Sequence, residues 1–362
     1  MITQEKDPYM ESVTKRIGVL TAGGDAPGLN AALRGLAKAA QDNYGIEIVG
    51  FFDGYKGLVN NNARLMEHAD FSGILHEGGS FLRNSRERPF KDEAKVQKMI
   101  ANYHEWNLDC LVVLGGGGTN KRGFWLTERG LNVIGLPKTI DNDIFGTDIT
   151  FGFHSALEFC TDAVDRLHTT AASHQRVILA EIMGNKAGWL ALYAGIAGGA
   201  DAIILPEMPY DIQKLKAHID NRMKNSHSQF CVIVVAEGAK TPEEAELTKK
   251  ELKNKRKEEK TSAAYRVSRE LNAISNYESR VSVLGYLQRG GSPTGYDRVL
   301  ATQFGAKAAE LLYRGEYNQL VAAKGLEVTS VPLAEVAGKT KFVPKNHIAV
   351  QSAKQTGICF AD

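Results

Sequence analysis

Two kinds of residue cluster in this chain suit chemistry on phosphates. The first is the run Pro137-Lys138-Thr139-Ile140-Asp141-Asn142-Asp143, directly after an apolar stretch ending at Leu136. Two carboxylates two residues apart at a strand's C-terminal end sit where open α/β sheets place ligands. One could take a proton from an attacking hydroxyl while the other faces a divalent cation. An Asx-rich turn capping the next helix would use the same residues. The second kind is a set of glycine-rich junctions: Gly23-Gly24-Asp25-Ala26-Pro27-Gly28, Gly78-Gly79-Ser80, Gly115-Gly116-Gly117-Gly118-Thr119 and Gly290-Gly291-Ser292-Pro293. Glycine after a strand lets backbone N–H groups approach phosphate oxygens, with a helix N-terminus behind them. A helix dipole contributes only about 0.3–1 kcal/mol per charge at an exposed end. A phosphate site therefore also needs cations, which Arg86, Arg176, Arg280 and Arg289 supply. Neither GxxxxGK[ST] nor GxGxxG is present after a strand. One such cluster alone would serve equally as a tight turn; the set together points to phosphate handling.

The elements that must position these residues alternate along the chain. Apolar runs at Arg16–Thr21, Glu47–Phe52, Asp109–Leu114, Asn132–Leu136, Arg176–Ile182, Ala202–Leu205, Phe230–Ala236 and Val281–Tyr286 predict strands. They are rich in Val, Ile and Leu with little polar alternation, as in strands covered on both faces. Helical patterns such as Gly28–Asp42 and Ser155–His168 intervene, and this repetition predicts parallel sheets in an α/β fold. Between Lys240 and Lys260 lies a dense mix of Lys and Glu. Its Thr241-Pro242 start reads as an N-cap and first helical position, and its charges suit a solvated surface helix.

The 362 residues, 43% hydrophobic and 24% charged, suit two packed domains rather than one. A net charge of +2 argues against nucleic acid as a main partner. The four cysteines, Cys110, Cys160, Cys231 and Cys359, have no CxxC or metal-type spacing; Cys110 and Cys231 lie in apolar runs and read as buried thiols in a reducing compartment. Residues 1–15 lack the order of a signal peptide, and no apolar stretch is long enough to span a bilayer, so the expected location is cytoplasmic, without membrane partners.

From about Arg16 onward the chain resembles the 6-phosphofructokinases. The shared text comprises IGVLTAGGDAPGLNAALRG from Ile17, GGSFLRNSR from Gly78, PKTIDNDI from Pro137 and SHQRVILAEIMG from Ser173. It continues with GIAGGAD from Gly195, VVAEGA from Val234 and VLGYLQRGGSPTGYDR from Val283. These motifs stand in the family's order and spacing. The resemblance implies two similar Rossmann-like three-layer α/β/α domains with mainly parallel sheets and an active site in the cleft between them. Residues 16–152 plus about 289–338 would form the phosphoryl-donor domain, and 153–288 plus about 339–362 the sugar-phosphate domain. Residues 1–15 would be an N-terminal extension and 240–262 a charged helical insertion.

The implied activity is transfer of a phosphoryl group from ATP to the 1-hydroxyl of fructose 6-phosphate, with Mg²⁺, in a homotetramer or homodimer. Asp141 matches the general base, Thr139 a residue beside the transferring group and Asp143 a residue that helps hold Mg²⁺. Arg176 and Arg280 match arginines that reach the sugar phosphate from a neighbouring subunit; Arg289 matches a same-subunit contact. Met183, Gly184 and Glu237 match sugar-contacting positions. Gly24, Arg86 and Gly116, Gly117, Gly118 and Thr119 match the donor site.

The chain departs from the family pattern at several points. Gly117 replaces the Mg²⁺-binding Asp of the usual GGDGS or GGDGT. Gly118 is small, as in ATP users, where diphosphate users carry Asp. Lys138 replaces a glycine common in ATP enzymes and is shared with diphosphate-dependent members; it would supply positive charge near the transferring phosphate. Asn185 stands for an arginine and Tyr286 for a histidine near the 6-phosphate. Of the family's effector cations, Arg34 is retained, Lys38 is a conservative replacement and His168 stands for an arginine, which argues against the usual effectors. The donor expectation is ATP. A diphosphate-dependent enzyme and a non-catalytic relative are the alternatives, the latter motivated by Gly117.

Overall fold

The computed structural model describes residues 12–85, 87, 89–225 and 229–362. They form two compact units, each discontinuous in sequence. The first runs up to Thr139 and adds Ile144–Gly152 and Gly290–Lys339; the second comprises Ile140–Asp143, Phe153–Arg289 and Thr340–Asp362. Asp141 and Asp143 thus pack with the second unit, although they follow a strand of the first.

The first unit holds strands β1 (Arg16–Ala22), β2 (Glu47–Phe51), β3 (Ala63–Met66), β4 (Cys110–Gly115) and β5 (Val133–Pro137), joined late in the chain by β10 (Gln319–Lys324) and β11 (Glu327–Pro332). Their order is β11-β10-β5-β4-β1-β2-β3, parallel throughout except for the edge strands β3 and β11. Cys110, Val112 and Leu114 of β4 enter the core on one face, while Leu111 and Val113 enter the core on the other. Burial on both faces removes polar alternation and makes these strands continuous apolar runs. Helices Leu29–Tyr44 and Gly295–Arg314 cover the first face; Tyr55–Asn60, Glu93–Glu105 and Gly117–Thr127 cover the second.

The second unit holds β6 (Val177–Ile182), β7 (Ala202–Ile204), β8 (Cys231–Ala236) and β9 (Ser279–Val283) in the all-parallel order β7-β8-β6-β9. Phe153–His174 and Trp189–Ala197 contact the sheet, as do Ile212–Asn225 and Ala263–Ile274, the latter pair sharing a core with it. Both units are thus helix-covered, mainly parallel sheets, although seven strands stand against four.

All eight expected strands form, and three more appear at Ala63–Met66, Gln319–Lys324 and Glu327–Pro332. The run expected as a strand through Tyr286 stops at Val283, and Gly285–Arg289 coils into a 3₁₀ turn. Gly78-Gly79-Ser80 follows the 3₁₀ turn Ile74–His76 rather than a strand. The charged segment is two helices, Pro242–Glu246 and Lys249–Glu259, started by capping boxes at Thr241 and Thr248. It is not wholly solvated, because Glu244 is buried. Cys110, Cys160 and Cys231 are buried free thiols and Cys359 is half-buried; burial pushes the first three thiols up. No helix among the described residues is long and apolar enough to cross a membrane.

The helices Leu29–Tyr44 and Gly295–Arg314 meet backbone to backbone. A Cβ on Gly35 would stand 2.7 Å from the Thr302 carbonyl oxygen, and one on Gly305 would stand 2.4 Å from the Leu36 nitrogen. Gly305→Ala is therefore expected to lower stability by about 1–3 kcal/mol, as overpacking does. Urea denaturation measures this, and an unchanged midpoint would contradict so close a contact.

Candidate functional site

In the first unit the strand order turns at β1, with β2 on one side and β4 on the other. Ligands of open α/β sheets lie at such a point, beyond the strands' C-terminal ends. β1 and β4 both run into glycine there. After β1, Gly23 and Gly28 adopt φ of 86° and 98°, in the left-handed region open to glycine. After β4, Gly116 caps the helix Gly117–Thr127 without any side-chain cap of its own, so the leading amides face outward. A Cβ on Gly117 or Gly118 would meet nothing within 4 Å. Thr119 is buried and hydrogen-bonds the Ala22 carbonyl at 3.3 Å, tying the two loops together. Lys138, 2% exposed, donates its Nζ to the Gly24 carbonyl, and its backbone N–H donates to Gly115. Thr139 lies beside Gly116, and its carbonyl accepts from the Thr150 hydroxyl at 2.8 Å.

Gly23, Gly24 and Asp25 line a cavity of about 320 Å³ with Gly79, Ser80 and Asn84. The Ser80 hydroxyl is 2.8 Å from that of Thr21. Asn30 secures this glycine loop, donating to the carbonyls of Glu77 and Gly78 and accepting from the Phe81 amide. Gly78 in turn abuts Gly291: a Cβ there would stand 2.1 Å from the Gly291 carbonyl oxygen. Three of the glycine junctions thus frame one face, and the fourth abuts one of them. Arg86 lies outside the described residues.

In the second unit Met183, Gly184 and Asn185 follow β6, Glu237 follows β8, and Tyr286 and Arg289 lie on the 3₁₀ turn after β9. These strands are parallel neighbours, so the residues share one edge. Asn185 hydrogen-bonds Glu237, whose carboxyl is pushed up by burial and by Glu181, while Arg289, Asn185 and Arg256 oppose that rise. Gly184 has φ 136°, and its carbonyl accepts from Gly238 N at 3.1 Å. Tyr286 is 70% exposed. The Asp141–Asp143 turn is braced by Lys341, whose N–H donates to the Asp143 carbonyl at 2.9 Å and whose Nζ donates to Asn142 Oδ1 at 3.0 Å.

Arg176 and Arg280 stand elsewhere. Arg176 precedes β6 and Arg280 lies at the start of β9, so both are on the opposite edge from Met183 and Arg289. Six residues of β6 at roughly 3.3 Å each separate the two edges by about 20 Å. Both guanidiniums hold Glu278, Arg176 at 2.8 Å, and pairing with Arg176 draws the Glu278 carboxyl down. One chain does not bring these arginines to its own Met183–Arg289 cluster. Of the expected effector residues, His168 is held on the Gly198 carbonyl at 2.7 Å.

The residues present suit Mg²⁺ only as an ion carried by phosphates. Among the described residues no three His, Cys, Asp or Glu side chains gather, and Gly117 offers no ligand. Single carboxylates, Asp143 on its turn and Asp25 in the cavity wall, fit a cation that keeps waters and leans on substrate phosphates. Asn30 and Gln288 stand inside the shared runs from Ile17 and Val283, where residue type alone gives them no role, and Lys341 lies outside every such run. Gln288 is buried, and its Oε1 accepts from the Met183 amide at 2.9 Å.

Glycine cradles at a switch point and a separate cluster of polar and charged residues beyond the second sheet define an α/β phosphate-handling protein. The phosphofructokinase family profile matches residues 16–312. An ATP-dependent 6-phosphofructokinase of Spirochaeta thermophila is 52% identical over 96% of this chain and 98% of its own length. Another, of Propionibacterium freudenreichii, is 49% identical over 97% and 100%. Pichia pastoris phosphofructokinase in the T-state superposes with TM-score 0.76 at 31% identity, over 90% of this chain but only 35% of that one. The chain belongs to the phosphofructokinase family.

Since side chains at Gly117 and Gly118 meet open space and lie in a helix's first turn, Gly117→Asp and Gly118→Asp are expected to fold normally. An acid there gains about 0.3–1 kcal/mol from the helix terminus. Thermal melts at or slightly above the parent's would agree; a large loss would mean the space is filled.

Proposed function

We propose that the chain transfers the γ-phosphoryl group of ATP to the 1-hydroxyl of fructose 6-phosphate, giving fructose 1,6-bisphosphate in glycolysis. The observation that carries the choice of donor is the open space at Gly118. A carboxylate at that position would set negative charge against the nucleotide phosphates, and its absence leaves room for them. The ATP-dependent names of the relatives above agree with this reading. The free thiols suit a reducing compartment, and we place the activity in the cytoplasm.

On this reading the glycine loops of the first unit hold the donor phosphates with backbone N–H groups. Lys138 keeps the Gly24 loop in place and adds positive charge where it develops during transfer. Asp141 accepts the proton of the 1-hydroxyl as that oxygen attacks, on a turn fixed by Lys341. Thr139 stands beside the transferring group. Met183, Gly184, Asn185 and Glu237 contact the sugar, and Arg289 and Tyr286 its 6-phosphate. Mg²⁺, held through Asp143, water and the donor's own phosphates, would neutralise charge on those phosphates. Arg176 and Arg280 serve the acceptor site of a second copy, because their own lies about 20 Å away along the strands. Their shared carboxylate, Glu278, aligns two guanidiniums, each with paired donors suited to phosphate.

Diphosphate as donor is favoured by one observation, the lysine at position 138. That lysine is tied to the Gly24 loop, which either donor would use, so it discriminates less than the space at Gly118. The purified protein is expected to show Mg²⁺-dependent transfer from ATP and little from diphosphate. Asp141→Ser should lower kcat by about 10²–10⁴ while fructose 6-phosphate still binds. Activity from diphosphate alone would reverse the donor choice, and a protein that binds the sugar phosphate without any transfer would be a non-catalytic relative.

The shared acceptor site has its own test. Mixing inactive Arg280→Ala with inactive Asp141→Ser under conditions of subunit exchange is expected to restore part of the activity, since some sites then take each intact residue from a different chain. Demonstrated mixing without recovery would mean that each site is built from one chain.

A further inference from the structure

The charged segment after residue 240 has no place in the chemistry above, yet its second helix, Lys249–Glu259, docks in an unusual way. It contains no buried residue. A helix that is polar all round gains little from packing and depends on ionic contacts to stay in place. Those contacts converge. Arg256 Nη2 donates to the carbonyls of Ala239 at 2.8 Å and Gly238 at 3.4 Å. Arg266, on the following helix and 5% exposed at its side chain, donates to the same Ala239 carbonyl at 2.9 Å. Between them sits Glu244, 2% exposed, 3.8 Å from both guanidiniums and 3.3 Å from Lys255.

Gly238 and Ala239 are the residues directly after Glu237. Gly238 lies flat against the turn after β6: its N–H donates to the Gly184 carbonyl, and a Cβ would stand 2.1 Å from the Asn185 carbonyl oxygen. One guanidinium on the charged helix therefore clamps the segment that carries Glu237, and that segment abuts Gly184 and Asn185.

We propose that Arg256 is a positioning residue of the acceptor site, and that the charged segment serves to place Glu237 against the sugar. This rests on Glu237 contacting the sugar phosphate, as in the reading above. Arg256 also acts on Glu237 through its charge. The groups facing that carboxyl are Glu181 from β6, Asn185 after it, Arg289 from the 3₁₀ turn and Arg256 from the charged helix. Burial and Glu181 hold the carboxyl up; Arg289, Asn185 and Arg256 draw it down, so removing Arg256 moves it further up.

The test compares the wild-type protein with Arg256→Met, Arg256→Lys and Lys255→Met, with ATP and fructose 6-phosphate varied in turn. Arg256→Met should raise KM for fructose 6-phosphate by about tenfold, with kcat and KM for ATP within about twofold. The acidic limb of kcat/KM for the sugar phosphate should move to higher pH, while that for ATP stays in place. Arg256→Lys, which retains one charged donor, should recover part of the loss. Lys255→Met, which removes a Glu244 partner but touches no carbonyl of the loop, should match wild type. If Arg256→Met melts too low to assay, the same comparison is made with Arg256→Lys alone, whose sugar-phosphate KM should still exceed wild type. An unchanged KM in the Arg256 variants, an equal rise for both substrates, or the same effect from Lys255→Met would overturn the proposal. A wild-type protein that neither binds nor phosphorylates fructose 6-phosphate would instead sink the assignment of substrate on which it rests.

Discussion

Because the central strands of each sheet all point the same way, their C-termini in a unit emerge on one edge, and the loops that follow them are gathered into one place. The first unit puts its glycine loops there, after β1 and β4. The second puts Met183, Glu237 and Arg289 there, after β6, β8 and β9. The same direction forces whatever precedes a strand to the far edge, which is where Arg176 and Arg280 lie. No loop movement of ordinary size carries a side chain the length of a six-residue strand.

The charged groups behind the two edges are buried, and burial makes their partners obligatory. An ion taken out of water costs several kcal/mol unless its partners are well placed. Lys138 meets this with the Gly24 carbonyl, and Glu181 with the Ala264 amide at 2.8 Å. Glu244 does so with cations from two helices. Such groups hold loops in one arrangement, because any other leaves a charge unmatched. Apolar packing would hold the sheets as firmly, but it does not select where a carbonyl or a carboxylate points.

Most of the sheet was legible because double burial writes itself into sequence: CLVVL in β4 and CVIVVA in β8 have no other ready reading. Of the three further strands, Gln319–Lys324 is buried over Leu320–Ala323, but two of those residues are alanines that a helix takes equally well; the other two are short or partly exposed. Ala63–Met66 has one buried residue, and Glu327–Pro332 is an edge with none. The glycine loops and the Asp141 turn were legible by type and position. The residues behind them were not. Gln288 and Asn30 lie inside marked runs, beside Arg289 and the Gly23–Gly28 junction, but a lone amide gives no sign of which backbone groups it will hold; Lys341 has no marked neighbours at all. The run around Arg256 misled in a different way. Its composition is that of a solvated helix, and only the direction of one guanidinium shows that it grips the loop after Glu237.

The contact between Gly35 and Gly305 bears on how the chain is made. As the polypeptide leaves the ribosome, the helix Leu29–Tyr44 is finished early, yet the helix it packs against comes only after the whole of 153–289 has been synthesised. Strand β10, which borders β5, is later still, and Thr340–Asp362 returns to the second unit last of all. The first unit cannot close before Gly290–Lys339 is made, nor the second before Thr340–Asp362. Until then the apolar edge of β5 and the bare face above Leu29 are open to wrong partners, in a topology whose distant pairings are slow to form. Nascent chains of this protein therefore stand to gain from holding chaperones through most of translation, because neither unit can fold as its first segment emerges.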